Sequence, residues 1–310
     1  MNNKSTEMTK QNLINLAIKE YLETPEEERS LTKVGEKYGV KRQTISKHLK
    51  DMGIEVVNYQ NRARLDETVF DSMDTEEQFY WLGFLYADGN ISKTGNRLEL
   101  TLALKDIDHL EKFRKFLKLT TEIKTILRNE HYACRLYVRN KHLWETLNNL
   151  GCVPCKSLIL EFPKKEIFKN NKMFILHFIR GYVDGDGCLS YYWNKQHTSI
   201  NTQVSIVSTE SFLNSIKKLF GNKHGYIHNK SSKDWENKAY QLTFNGAIAR
   251  KFARYLYEKA TIYMQRKYEK YLYFCRLEEE SSLRKSSKIG ESWDANTEVN
   301  SGITKGPESL

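Results

Sequence analysis

The sequence lacks both a cysteine framework and a long apolar segment. The 310-residue chain has five scattered cysteines, and an odd, scattered set argues against disulfide bonds. No uninterrupted apolar run approaches the roughly 18–20 residues that a membrane helix needs. Residues 1–10 are polar and lack the apolar core of a secretion signal. We therefore predict a soluble, intracellular and cytoplasmic protein.

The composition is otherwise that of a folded, basic protein. Hydrophobic residues make up 39% of the chain, which is enough for sizeable cores and excludes wholesale disorder. Lys and Arg number 49 against 39 Asp and Glu, a net charge of +10, and nearly all of the excess falls within residues 61–280. Such an excess suits a polyanionic partner but does not by itself identify one.

The N-terminal region has the pattern of a helix-turn-helix. Ser30 can cap a short helix that ends at Gly39. A second helix is predicted from Lys41 to Met52, with Gly53 as its stop. An earlier helix over about residues 11–22 would complete a three-helix unit.

The second helix of this unit turns a polar and basic face outward. Gln and Arg can contact base edges in the major groove of DNA, while Lys and Ser can bind phosphates. The outward residues are Arg42, Gln43, Ser46, Lys47 and Lys50. We predict a DNA-binding domain over residues 1–55, followed by a linker over 56–73. The alternative is a helical hairpin that serves only for packing.

The central region contains an internal repeat. Residues 79–89 (FYWLGFLYADG) are matched by residues 177–187 (HFIRGYVDGDG). Each copy is followed by patterns for two strands, a helix, two strands and a final helix, so each half is predicted to be α-β-β-α-β-β-α with antiparallel strands. The fold class is thus α+β with a pseudo-twofold duplication. The predicted bounds are 74–171 for the first half, 172–280 for the second and 281–310 for a disordered tail.

Each copy begins with a helix that ends in Asp-Gly. Asp74 with Glu77 could form a capping box at the start of the first helix. Small residues recur four apart in both helices, at Gly83 and Ala87 and at Gly181 and Gly185. Such a stripe lets two helix backbones approach closely. If the stripes pack together, Asp88 and Asp186 converge at one end of the helix pair.

This convergence is electrostatically unfavourable without a cation. Each carboxylate lies at the negative end of a helix dipole, and two adjacent carboxylates repel one another. A divalent cation with oxygen ligands, Mg²⁺ in particular, resolves the conflict. A single Asp-Gly usually marks only a turn, but two copies on matching helices favour a metal site. Asp184 has no acidic counterpart in the first copy, where Tyr86 stands, so it is not counted as a ligand.

The two repeated motifs resemble those of a known family. Residues 81–89 (WLGFLYADG) and 179–187 (IRGYVDGDG) are similar to the paired motifs of single-chain LAGLIDADG homing endonucleases. The resemblance covers about residues 75–277. It implies that the motif helices form the interface between two halves, and that Asp88 and Asp186 hold the catalytic metal.

The resemblance also implies further site residues. A basic residue is expected near each scissile phosphate, and Lys156 and Lys267 occupy the matching stretches. The backbone carbonyls of Ala87 and Gly185 are additional candidate metal ligands. Phosphodiester hydrolysis needs an activated water and a cation on the developing charge, so no nucleophilic Ser or Cys is required.

The outward faces of the predicted sheets are candidate DNA-binding surfaces. An antiparallel ribbon in the major groove places alternate side chains on bases and phosphates. The candidates are Arg135, Tyr137 and Arg139 in the first half and Gln241, Thr243 and Asn245 in the second. An ordinary solvated sheet face is the alternative.

The sequence therefore predicts a site-specific double-strand DNA endonuclease encoded by a mobile element. It would use Mg²⁺ or another divalent cation such as Mn²⁺, and would act on double-stranded DNA as a monomer with internal pseudo-twofold symmetry. The alternative is a DNA-binding regulator, or an RNA maturase, that retains the fold without cleaving.

Overall fold

The computed structural model describes residues 9–25, 28–54, 56, 64–128, 130–156, 159–230 and 239–280. These residues belong to two compact units that divide between Arg64 and Leu65. The division falls inside the predicted linker, of which residues 57–63 lie outside the described residues, as does the predicted tail. Residues 65–73, however, belong to the second unit, because Phe70 is buried and packs against Phe116 with ring centroids 5.3 Å apart.

The described part of the first unit contains three helices. They are α1 (Lys10–Glu23), α2 (Leu31–Tyr38) and α3 (Arg42–Asp51). The Ser30 hydroxyl accepts a hydrogen bond from the backbone N–H of Lys33 and so caps α2, and Gly39 ends that helix in the left-handed conformation at φ 65°. One apolar core joins the three helices, formed by Ile14, Ala17, Ile18, Tyr21, Val34, Val40, Ile45 and Leu49.

The second unit is built from two halves with the same order of elements. The first half contains α4 (Glu76–Asp88), β1 (Gly89–Ile91), β2 (Arg97–Ala103), α5 (Ile107–Phe116), β3 (Lys124–Arg128), β4 (His131–Arg139) and α6 (Lys141–Asn149). The second half contains α7 (Lys172–Asp186), β5 (Gly187–Trp193), β6 (Ile200–Ser208), α8 (Glu210–Leu219), β7 (Tyr226–Asn229), β8 (Tyr240–Asn245) and α9 (Gly246–Tyr257). A further helix, α10, covers residues 265–280.

The two sheets share one topology. Their strand orders are β1-β2-β4-β3 and β5-β6-β8-β7, and every neighbouring pair is antiparallel. Alternate residues of the central strands are buried, as in β2 and β4, because one face of each sheet packs against helices and the other is open. The predicted α+β fold with a duplicated α-β-β-α-β-β-α pattern is confirmed.

The two motif helices, α4 and α7, begin differently. A capping box starts α4, but it pairs Thr75 with Gln78 and not Asp74 with Glu77. The sequence prediction was therefore wrong by one position. The α7 helix begins at Asn171, whose side chain accepts from the N–H of Met173.

The same two helices contact one another through their backbones. A Cβ added at Gly83 would lie 1.9 Å from the carbonyl oxygen of Phe178, and one at Gly181 would lie 1.9 Å from the carbonyl oxygen of Tyr80. A Cβ at Gly185 would lie 2.3 Å from that of Ala87. The small-residue stripe thus forms the interface, since any larger side chain would force the helices apart.

Within the described residues, no helix has both the length and the apolar character that crossing a membrane requires.

Replacing Gly181 by Ala is expected to lower the free energy of unfolding by at least about 2 kcal/mol, because the new methyl group overlaps the α4 backbone. In an open helix the same change would raise stability by about 1 kcal/mol, so the sign of the effect reports the contact. Urea unfolding monitored by circular dichroism measures it, with Asn214→Ala on the exposed face of α8 as the control. A stable Gly181→Ala variant would show that the helix backbones do not touch.

Candidate active site

The two predicted acidic residues lie at adjoining helix ends. Asp88 is the last residue of α4 and Asp186 the last of α7, and each is followed directly by the first strand of its half. A Cβ on Gly185 would lie only 3.3 Å from Oδ2 of Asp88. The charge of Asp186 raises the pKa of Asp88. The structure therefore brings the two carboxyl groups together across the helix interface, as the small-residue stripe predicts.

The protein environment favours the protonated forms of both carboxyls. Burial, followed by the charge of Asp186, raises the pKa of Asp88 to about 6, and burial also raises the pKa of Asp186. Both residues nevertheless remain exposed to solvent. A cation bound to these accessible carboxyls would stabilise their charged forms.

Lys267 lies close to the Asp186 carboxylate and is buried, with an exposed fraction of 3%. Its Nζ donates to the carbonyl oxygens at the end of α7, with distances of 2.6 Å to Val183, 2.6 Å to Asp184, 3.1 Å to Gly185 and 2.8 Å to Gly187. Desolvation lowers the pKa of Lys267 to about 8. Its positive charge lowers the pKa values of the Asp88 and Asp186 carboxyls. The ammonium of Lys267 thus binds the negative, C-terminal end of α7 and offsets the negative charge of the two carboxylates.

Lys156 makes the matching contact in the first half. Its Nζ donates to the carbonyl oxygen of Gly89, the residue after Asp88, and its charge also lowers the pKa of Asp186. The structure therefore places both predicted lysines beside the carboxylates, each bound to the backbone at the end of a motif helix. The Gly185 carbonyl, a predicted metal ligand, already accepts a hydrogen bond from Lys267.

Asp184 is fully buried and is not part of the exposed carboxylate pair. Its oxygens accept hydrogen bonds from Tyr257 OH at 2.6 Å, Tyr80 OH at 2.7 Å and the backbone N–H of Met264 at 2.7 Å. Tyr80 belongs to the first half, so this network ties the halves together and fixes the segment that carries Lys267. The sequence correctly set Asp184 apart but gave no indication of the two tyrosines.

Two ion pairs between the halves were not predicted from the sequence. Arg180, buried in α7, binds Glu76 of the first half at 2.6 Å, and its Nε donates to the carbonyl of Ile262 at 2.9 Å. Arg266 binds Asp106 of the first half at 2.9 Å and lowers the pKa of Asp88. Both pairs join residues more than 100 positions apart, so no local pattern could reveal them.

Among the described residues, the two carboxylates have no third acidic partner that could hold a metal. Within the described ranges, no group of three or more His, Cys, Asp and Glu residues is placed to hold a metal. Oxygen donors at the site are therefore the two carboxylates together with backbone carbonyls, a donor set that suits Mg²⁺ or Mn²⁺ and not softer metals.

One family model matches part of the chain. Residues 173–257 match the model of the LAGLIDADG-like domain, which includes the motif helix α7 and the sheet of the second half. This part of the second half is therefore similar to a LAGLIDADG-like domain. The first half repeats its topology and its helix-terminal aspartate. No curated protein matches the sequence significantly.

Several solved structures of LAGLIDADG proteins are similar to the chain. I-LtrWI bound to target DNA is 15% identical, with a TM-score of 0.44, over 74% of this chain and 99% of that one. I-AabMI bound to uncleaved DNA gives the same four values. I-GzeII in complex with a DNA target is 12% identical, with a TM-score of 0.40, over 74% and 99%. At sequence identities this low, the similarity concerns only the fold.

The open faces of the two sheets carry the predicted binding residues, which differ in exposure. Arg139 and Asn245 are exposed, and Arg135, Tyr137 and Gln241 are half-buried. Thr243 lies on the same face as Gln241 and Asn245, although it does not reach the solvent. Thr243 is fully buried and accepts a hydrogen bond from Gln241 at 3.1 Å, because neighbouring side chains of the same face cover the short hydroxyl.

In the N-terminal unit the predicted outward face of α3 is also present. Arg42, Gln43, Lys47 and Lys50 are exposed and Ser46 is half-buried. Together with the start of α2 they line a concave surface. The three-helix arrangement and this basic face match the sequence prediction, although contact with DNA stays a prediction.

Replacing Asp88 by Asn is expected to stabilise the protein at pH 7–8 in the presence of EDTA. Because the folded-state pKa of about 6 lies above the ordinary value of 3.8, the wild-type carboxyl costs stability as the pH rises from about 4 through 6. The cost, screened by solvent, is on the order of 1 kcal/mol, which raises the melting temperature of the variant by about 2–4 °C.

The higher melting temperature of the Asp88→Asn variant should disappear near pH 4, where the side chain at position 88 is neutral in the variant and in the wild-type protein. Exposed Glu122→Gln serves as the matched control and should leave the melting temperature unchanged at both pH values. A variant that is less stable than wild type throughout this range would show that the charged Asp88 carboxyl does not destabilise the fold.

Proposed function

We propose that the chain is a site-specific endonuclease that hydrolyses both strands of double-stranded DNA with the help of a divalent cation. One observation carries the proposal. Asp88 and Asp186, one from each half, lie at adjoining ends of two helices in backbone contact, beside Lys156 and Lys267.

The residues of the site fit a hard divalent cation such as Mg²⁺ or Mn²⁺. Asp88 and Asp186 would hold it, with the Ala87 and Gly185 carbonyls as further candidates. Burial raises the pKa values of both carboxyls, and the charge of Asp186 raises that of Asp88 further, so a bound cation would stabilise their charged forms. When bound, the cation would lower the pKa of a coordinated water and offset charge on the phosphate. Among these candidate ligands, the Gly185 carbonyl oxygen is the least favourable, since it already accepts a hydrogen bond from Lys267.

The two lysines act on the electrostatics of the cleavage site. Each ammonium is bound to carbonyl oxygens at a helix C-terminus, which is the negative end of the helix dipole. The lysines therefore offset both the dipoles and the carboxylates where a polyanionic backbone must approach. Lys267 is almost wholly buried, so it would stabilise developing negative charge through space and not by direct contact with the phosphate.

The sheet faces and the N-terminal unit supply the proposed DNA contacts. Arginine, glutamine and asparagine side chains on the open face of each sheet can bind base edges and phosphates. The exposed basic residues of α3 would extend the contacted sequence beyond the catalytic halves. A gene of this kind would belong to a mobile element whose insertion site is the cleavage target.

A regulator or maturase that binds without cleaving is the competing function. Both aspartates and both lysines are present in matching positions of the two halves, which favours cleavage. Incubating the protein with DNA from its own uninterrupted insertion locus, with and without Mg²⁺, separates the two functions. Tight, specific binding without cleavage under any divalent cation would favour the regulator.

Asp88→Asn and Asp186→Asn are each expected to lower the rate of double-strand cleavage by at least about 100-fold, because each removes a ligand of the proposed cation. Binding to the same duplex should change little. Gel-based cleavage and binding assays measure the two quantities, with Asp108→Asn on the exposed side of α5 as the control. Full activity in either variant would show that the cation site is misassigned.

The double variant Lys47→Ala/Lys50→Ala should weaken DNA binding and reduce its dependence on salt. Each lost phosphate contact lowers the slope of log K against log salt by about 0.9. The matched control is Lys10→Ala/Lys19→Ala, which removes the same charge from α1. Equal effects of the two double variants would show that α3 is not a DNA-binding helix, and neither variant should alter the single-turnover cleavage rate at saturation.

A further inference from the structure

The open faces of the two sheets differ sharply in charge. The pairing register puts one set of basic residues, with the single acid Glu99, on the open face of the first sheet. The basic set is Arg97, Lys124, Arg128, Arg135 and Arg139. The four strands of the second sheet, all of whose residues are described, contain no Lys, Arg, Asp or Glu. Their open face carries the amides Asn201, Gln203, Gln241 and Asn245.

The first sheet holds its cations in unfavourable proximity. Arg97 lies directly opposite Arg139, and Lys124 directly opposite Arg135, and like charges in such cross-strand pairs destabilise a sheet. Lys124 and Arg135 both lie over the ring of Tyr137, at 5.8 and 5.9 Å from its centroid. Nε of Arg135 is buried and has no hydrogen-bond partner among the described residues. This face therefore has donors and charge that an external acceptor would satisfy.

The second sheet presents neutral amides in fixed orientations. Gln203 Nε2 donates to Asn245 Oδ1 at 3.0 Å across β6 and β8. Gln241 Nε2 donates to the buried hydroxyl of Thr243 at 3.1 Å. Each amide keeps further donor and acceptor positions for an external group, and the bonds to neighbours reduce the rotamer entropy that binding would cost.

These two chemistries favour different bases. Arg and Lys pair with the O6 and N7 acceptors of guanine, whereas Asn and Gln pair with the N6 donor and N7 acceptor of adenine. We infer that the two halves bind DNA half-sites of different composition, with G·C pairs under the first sheet and A·T pairs under the second. This inference rests on the proposed function, since it concerns the DNA that the nuclease recognises.

The test is selection of bound duplexes from a library randomised along its length, using the Asp186→Asn variant so that bound DNA is not cleaved. The enriched sequence should contain one block of G·C pairs and one of A·T pairs. Adding Arg135→Gln/Arg139→Gln should reduce base preference in the G·C block by about 10–100-fold and leave the other block intact. Adding Gln203→Ala/Asn245→Ala should instead reduce base preference in the A·T block and leave the G·C block intact.

The matched control is Lys115→Gln/Lys218→Gln, which removes two charges from α5 and α8 on the helical sides of the sheets and should leave both blocks unchanged. Thermal melting checks that every variant is folded. Blocks of equal composition, or arginine variants that alter both blocks alike, would overturn the inference while leaving the nuclease intact. Folded protein that enriches no sequence would overturn the proposed function and this inference with it.

Discussion

The backbone contact between α4 and α7 is the constraint on which the rest of the second unit depends. Gly83 and Gly181 let the helices approach until the backbone of each meets the other. That approach fixes the distance between the halves, and it places the last residue of each helix beside the other. The interface and the candidate active site are therefore one structure, because the packing that joins the halves also creates the carboxylate pair.

Bringing two carboxylates to two helix C-termini concentrates negative charge, and the surrounding residues offset much of it. Lys267 and Lys156 bind the carbonyl groups at those helix ends, and Arg266 adds a third cation from the same region as Lys267. The buried carboxylate of Asp184 is satisfied by three hydrogen bonds and holds the segment leading to Lys267. The pKa values of the exposed pair, Asp88 and Asp186, nevertheless remain raised, chiefly by burial.

The two halves share a backbone and differ in side-chain chemistry. Tyr86 in the first half stands where Asp184 stands in the second, yet each ties the motif helix to the segment that follows the last helix of the duplicated pattern. The Tyr86 hydroxyl donates to the carbonyl of Leu150, and Asp184 accepts from the N–H of Met264. The sheets diverge further, since one is basic and the other neutral. A single chain permits this divergence because each half can change without altering the other, and an asymmetric molecule suits an asymmetric partner.

By itself the sequence determined the features that depend on local pattern. The repeat, the order of elements, the small-residue stripe and the two terminal aspartates follow from periodicity and spacing, since helix faces and strand alternation are short-range properties. Tertiary structure alone decided which groups meet from distant parts of the chain. It buried Thr243, bound Lys267 to four carbonyls and paired Arg180 with Glu76. These outcomes depend on packing between distant parts of the chain. The free-energy cost of desolvating a polar group is offset by a partner that only the folded chain brings into contact with it.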